Sequence, residues 1–174
     1  MEKAVGGKNL FGHSIGILML ESQFPRIPGD IGDATTWDFP VLYKVIEKAT
    51  PDIVVRKGDR TLLKPFIKGA QELEREGVRA ITTGCGFLAM FQKELASAVN
   101  VPVFASSLMQ VPMVYLMLKQ SQQVGIITIY SRSLTEKHLS AVGVDQVPHI
   151  TVGTEDEEEL SRVILDDEVE LDVE

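Results

Sequence analysis

One cysteine, one tryptophan and three histidines are all that the 174 residues contain of those types, and aromatic residues make up only 6%. A lone cysteine excludes an intrachain disulfide, and cytoplasm is the compartment expected of such a chain. His13, His138 and His149 stand at no metal-ligand spacing, so no metal is expected. No window approaches the ~20 uninterrupted apolar residues that a membrane span requires. The amino terminus carries Glu2, Lys3 and Lys8 and lacks a cleavable signal pattern. A basic stripe is missing as well. The net charge of -8 is concentrated between Glu155 and Glu174, where Arg162 is the single base, and the rest of the chain is close to neutral. Nucleic-acid binding therefore has no support, whereas a small-molecule site fits.

The single cysteine sits in the most informative stretch, Ala80-Ile-Thr-Thr-Gly-Cys-Gly-Phe-Leu-Ala89. Val78 to Thr83 is a short apolar, β-branched run bounded by glycines, which predicts a buried strand. Phe87, Leu88, Phe91, Leu95 and Val99 recur at helical spacing, so a helix is expected just beyond Gly86. Cys85 is thus placed on a strand-to-helix turn. Unpaired N–H groups and the positive end of the helix dipole stabilise a thiolate or a bound carboxylate there, and a thiol in that position is expected to have a lowered pKa. Gly84 and Gly86 leave room for a ligand, and Thr82 and Thr83 can supply hydroxyl donors. The plainer alternative is a small buried cysteine filling a gap beside a tight turn.

Other motifs on these residues fall short. Gly84-x-Gly86-x-x-Ala89 matches a relaxed dinucleotide fingerprint, but no acid stands at the end of the next strand, Phe104 to Ser107, so no cofactor is expected. A nucleophile elbow needs glycines where Thr83 and Phe87 stand. Gly6-Gly7-Lys8, in a loose leader from Met1 to Gly12, lacks the rest of a P-loop.

Along the chain, Ser14 to Leu20 is a continuous apolar run of the kind found in parallel sheets covered on both faces. A long loop follows, Glu21 to Thr36, at the carboxyl end of that strand, where ligands bind in open α/β sheets. Within it Arg26 could pair with a substrate carboxylate, or merely with Asp30, while Glu21 or Ser22 could bond an amine or amide. A helix is expected over Asp38 to Lys48 from the spacing of Val41, Leu42, Val45 and Ile46, then a strand over Asp52 to Arg56 and a helix over Thr61 to Glu76 stopped by Gly77. Pro102 to Ala105 reads as a strand, followed by Ser106 and Ser107, with Ser107 and Gln110 at capping-box spacing. Val124 to Ile129 is the next strand, with Tyr130 in the turn after it. Ser133 with Glu136, and Thr154 with Glu157, mark later helix starts. The expected class is α/β, parallel sheets flanked by helices, in two similar domains: residues 13–110 carrying Cys85, and residues 111–174 forming an incomplete second one.

The Thr-Thr-Gly-Cys-Gly-Phe turn, the Glu-Ser-Gln-Phe-Pro-Arg loop and the paired serines together resemble the aspartate/glutamate/hydantoin racemase superfamily. The resemblance implies two α/β domains around a cleft, no cofactor, and one cysteine from each domain, one removing and the other returning a proton α to a carboxyl or carbonyl. It makes Cys85 the acid/base. By the same match Thr82, Thr83, Gly86 and Ser107 would hold the substrate carboxylate or the enolate-like oxygens, and Tyr130 resembles an oxyanion-donating tyrosine of a decarboxylase branch; Gly84, Phe87, Ser106, Glu21, Ser22 and Arg26 complete the expected substrate-binding set. Members of the superfamily continue beyond the equivalent of Glu174 to a second cysteine that this chain does not contain. The expected function is a cofactor-independent racemase or isomerase acting on a small amino-acid or hydantoin-like carboxylate or amide. The alternatives are a one-base enzyme, a cysteine hydrolase, and a non-catalytic carboxylate-binding or assembly protein. An incomplete second domain would also expose apolar surface that a homo-oligomer could cover.

Overall fold

The computed structural model describes residues 3–173. Met1 and Glu2 of the expected leader and Glu174 of the acidic tail lie outside them. The apolar run at the start of the chain becomes strand β1 (Ile15–Leu20), its last five residues buried. It lies in the middle of a parallel sheet with β2 (Val41–Ile46) on one side and β3 (Ala80–Thr83) on the other, and β4 (Val103–Phe104) beyond β3. The register pairs Ile15 with Val41 and with Ala80.

Helix α1 (Leu63–Glu76) covers this sheet with Phe66, Ala70 and Leu73. Burying a side chain such as Phe66 is worth about 2–3 kcal/mol. The helix ends at Gly77, whose φ of 91° supplies the left-handed cap that the sequence predicts. After β3 the chain enters a 3₁₀ segment, Gly86–Phe91, that continues as α2 (Gln92–Ala98). Following β4 and a turn at Ser107–Gln110 comes α3 (Val111–Tyr115). A second sheet pairs β5 (Val124–Thr128) in parallel with β6 (His149–Gly153), with α4 (Glu136–Ala141) between them in sequence. The described chain closes with a wide helical turn at Ser161–Leu165.

Two expectations are corrected. The helix anticipated over Asp38 to Lys48 is strand β2, because its β-branched valines and isoleucine satisfy the β1 edge residue for residue. A spacing of 41, 42, 45 and 46 fits a helix face, but Val45 is 53% exposed on this edge strand. The strand anticipated over Asp52 to Arg56 is a wide helical turn: Pro51 (φ -51°) starts it in helical geometry and Val54 and Val55 go into the core. Two caps also shift by a residue or two. Ser106 rather than Ser107 caps the turn after β4, and Thr135 rather than Ser133 caps α4.

Two apolar cores result. One gathers Leu18, Phe66, Leu73, Ile81, Leu88, Phe91 and Leu95 under the larger sheet. The other gathers Ala89, Leu108, Val111, Val124, Ile126, Leu139 and Val144 under the smaller. Leu88 and Ala89 are adjacent residues of the 3₁₀ segment after Cys85, so this segment is the seam between the cores. The opposite face of the smaller sheet is bare: Ile127 is 80% exposed, Ile150 58% and Val152 57%, and the register sets Ile127 beside Val152.

Candidate functional site

The carboxyl ends of β1, β3, β4 and β5 converge on a cavity of about 290 Å3, the place where parallel α/β sheets bind ligands. Leu20 enters from β1, Gly84, Cys85, Gly86 and Phe87 from the turn after β3, Ser106, Ser107 and Leu108 from the turn after β4, and Thr128 with Ile129 from the end of β5. Phe24 and Arg26 close it from the long loop. Ile164 reaches it from the last helical turn.

Local chemistry fixes the Cys85 turn. The backbone of Cys85 is extended (φ -145°, ψ 118°), and its carbonyl accepts the Leu88 N–H at 3.1 Å. The Thr83 hydroxyl lies 2.8 Å from the Ala105 carbonyl and 3.0 Å from that of Cys85, and accepts the Cys85 N–H at 3.4 Å. A Cβ at Gly84 would sit 2.7 Å from the Met19 sulfur, so a larger residue there would require the Met19 side chain to move. The thiol is pushed up to about 11 by burial; the N–H groups of Phe87 and Leu88 and the Arg26 guanidinium pull it down without prevailing. The lowered thiol pKa expected from a helix start is therefore corrected. Apolar walls outweigh the dipole of one short 3₁₀ segment.

Arg26 is held in place by three neighbours. Its guanidinium pairs with Asp30 at 2.8 Å, donates to the Ser22 hydroxyl at 3.1 Å and stacks on the Phe24 ring at 4.4 Å. The loop itself is ordered by polar contacts. The Trp37 indole N–H reaches the Tyr43 hydroxyl at 3.0 Å, and that hydroxyl donates to the Ile31 carbonyl at 2.9 Å. Arg26 thus pairs with Asp30, as one of the two readings expects, and also lines the cavity.

The other sequence candidates divide. Gly84, Gly86, Phe87, Ser106 and Ser107 line the cavity. Thr82 and Thr83 lie outside its lining and spend their hydroxyls on the carbonyls of Phe104 (2.8 Å) and Ala105. The Ser106 hydroxyl accepts the Leu108 N–H at 3.2 Å as a cap. Ser22 supports Arg26 rather than facing the cavity. Glu21 turns away and accepts the Lys48 N–H at 2.6 Å. Tyr130 packs against the larger core outside the lining. Missing from the sequence reading is the apolar wall of Val55, Ile126, Leu134 and Ile164. The β5 run alone carried a signal for it, since a strand end opposite the cysteine turn must face the same cleft. Among the described residues no group of three or more His, Cys, Asp or Glu is placed to hold a metal ion, and no helix is long and apolar enough to cross a membrane.

Solved structures share this architecture. A liganded variant of arylmalonate decarboxylase, with one glycine changed to cysteine and one cysteine to serine, superposes with a TM-score of 0.53 at 14% identity, over 81% of this chain and 62% of that one. A Yersinia pestis protein classed with the Asp/Glu racemases gives 0.52 at 14% identity, over 88% and 70%. The fold is the racemase-type α/β fold. The curated sequence relatives carry a different name from these structures. The chain is 28% identical over 166 residues to a dimethylsulfoniopropionate lyase of Durusdinium sp. clade D, covering 91% of this chain and 55% of that protein. It is 29% identical over 166 residues to dimethylsulfoniopropionate lyase 3 of Emiliania huxleyi, covering 91% and 43%. The chain spans about half the length of these curated relatives. No protein-family model matches it.

Proposed function

We propose that Cys85 removes the proton α to the carboxylate of a small substrate held under Arg26, and that loss of a β-substituent follows. The observation that carries this reading is the placement of the one thiol in an apolar cavity that Arg26 also faces. The guanidinium would take the carboxylate as a charge-assisted pair in competition with Asp30. Negative charge developing on the enediolate oxygens would be met by Arg26 and by the N–H groups at the start of the 3₁₀ segment. A raised thiol pKa makes the thiolate scarce at neutral pH but a stronger base toward a carbon acid.

The relatives named dimethylsulfoniopropionate lyases favour elimination. With that substrate the thiolate takes an α proton, the C–H electron pair forms the new C=C bond, and the C–S bond breaks with its pair on sulfur. Acrylate and dimethyl sulfide result, and the proton rests on Cys85. The Phe24 and Phe87 rings in the wall are the groups suited to a cationic sulfur. The shared fold favours a second reading, in which the same carbanion is reprotonated and the enzyme is a racemase or isomerase.

One experiment in deuterated water separates them. Dimethyl sulfide release from dimethylsulfoniopropionate supports elimination; deuterium at the α carbon of a recovered carboxylate without release supports isomerisation. Cys85→Ser should lower either signal by about a hundredfold or more. Carboxylate binding with neither signal in either protein would instead support a binding or assembly role.

A further inference from the structure

We infer that Asp167 is a positioning residue for the cavity, holding from the far end of the chain the loop that carries Arg26; as a claim about the site it rests on the functional reading above. Asp167 is one of two described non-glycine residues with positive φ, at 59°, a left-handed conformation that aspartate tolerates better than most. That backbone aims its carboxylate at the loop after β1. One oxygen accepts the N–H of Gln23 at 2.8 Å and that of Phe24 at 3.2 Å, and the Gln23 side-chain amide donates back to the Asp167 carbonyl at 3.0 Å. The partners are 143 and 144 residues apart in sequence.

Phe24 connects this clamp to the site. Its ring lines the cavity and carries the Arg26 guanidinium at 4.4 Å. The turn bearing Asp167 is itself anchored. Val163 and Leu165 are buried, Ile164 forms part of the cavity wall, and Asp166 pairs with Arg56 at 2.7 Å, next to Val55 of that wall. Residues 163–167 therefore act as a strap across the cavity. Asp167 is the point at which the strap fixes the backbone two residues before Arg26.

The test uses two alkylating reagents on Cys85, iodoacetate and iodoacetamide. Their rate ratio reports how well Arg26 draws a carboxylate to the thiol, independently of the natural reaction. Asp167→Gly keeps the left-handed backbone and removes the carboxylate; Asp167→Asn keeps both the backbone preference and an accepting oxygen. The ratio should fall about fivefold in Asp167→Gly, remain within about twofold of wild type in Asp167→Asn, and fall no further when Arg26→Ala is added to Asp167→Gly. Hydrogen exchange at the Gln23 and Phe24 amides should quicken in Asp167→Gly alone among the two Asp167 variants. An unchanged ratio in Asp167→Gly with Arg26→Ala still lowering it, or an equal loss in Asp167→Asn, overturns the proposal. Should these results hold while neither dimethyl sulfide nor deuterium incorporation is seen, the clamp stands and the catalytic reading falls.

Discussion

Cys85 and Arg26 set the acid–base poise of the cavity by opposing effects. With the thiol pushed up to about 11, only about one part in ten thousand is thiolate at pH 7. Alkylation of Cys85 by neutral iodoacetamide should climb about tenfold per pH unit from pH 7 to 10 and level off near 11. Arg26→Gln should move that curve to higher pH, since the guanidinium lowers the thiol pKa. Stability follows the same group. An acid whose folded pKa lies above its ordinary 9.0 holds its proton more tightly when folded, so its contribution is complete below pH 9 and is lost as pH rises through about 11. Cys85→Ala should flatten the stability profile over that window by roughly 2 to 3 kcal/mol, measured by urea denaturation. At this scale the cysteine, its glycines and Arg26 were legible because their types and spacing announce chemistry. Asp167 was not, since nothing local to an acidic tail shows a partner more than 140 residues away.

Helix α4 shows how an element adds its own sensitivity. His138 closes a capping box, its Nδ1 accepting the Thr135 N–H at 3.1 Å, so the proton sits on Nε2, which is buried without a hydrogen-bond partner. The ring meets Phe87 of the cavity wall edge-on, centroids 5.4 Å apart. Burial lowers its pKa below the ordinary 6.5. A base with a depressed folded pKa contributes fully above its unfolded pKa and loses that contribution as pH falls through the folded value. The melting temperature should therefore drop as pH falls below the ordinary 6.5, and His138→Gln, which can still accept the capping bond, should lessen the drop. Elements were legible in the sequence where apolar runs were continuous, as in β1 and β5, or strictly periodic, as in α1. The errors at 38–48 and 52–56 arose where a short β-branched run satisfies both periods; the pairing of β2 with β1 decides the first, and the helical geometry at Pro51 the second.

Across the whole molecule, parallel sheets flanked by helices were readable from alternating strand and helix signals, but the division of labour between the two sheets was not. The smaller sheet covers the cavity with one end and leaves one face bare, with Ile127, Ile150 and Val152 exposed. Such a face binds hydrophobic dyes and promotes association. Ile150→Lys with Val152→Lys should reduce anilinonaphthalene sulfonate fluorescence and shift sedimentation toward the smallest species, while Cys85 alkylation keeps its wild-type pH profile. Loss of that profile would show that the bare face supports the cavity.

The strap across the cavity also orders events during synthesis. The larger sheet needs only the chain up to Phe104, yet Ile164 and the Asp167 clamp are translated some sixty residues later. A nascent chain can thus complete its first sheet on the ribosome with the thiol turn formed and the cavity still unroofed. The wall that Ile164 supplies is thus the last part of the cavity to be made.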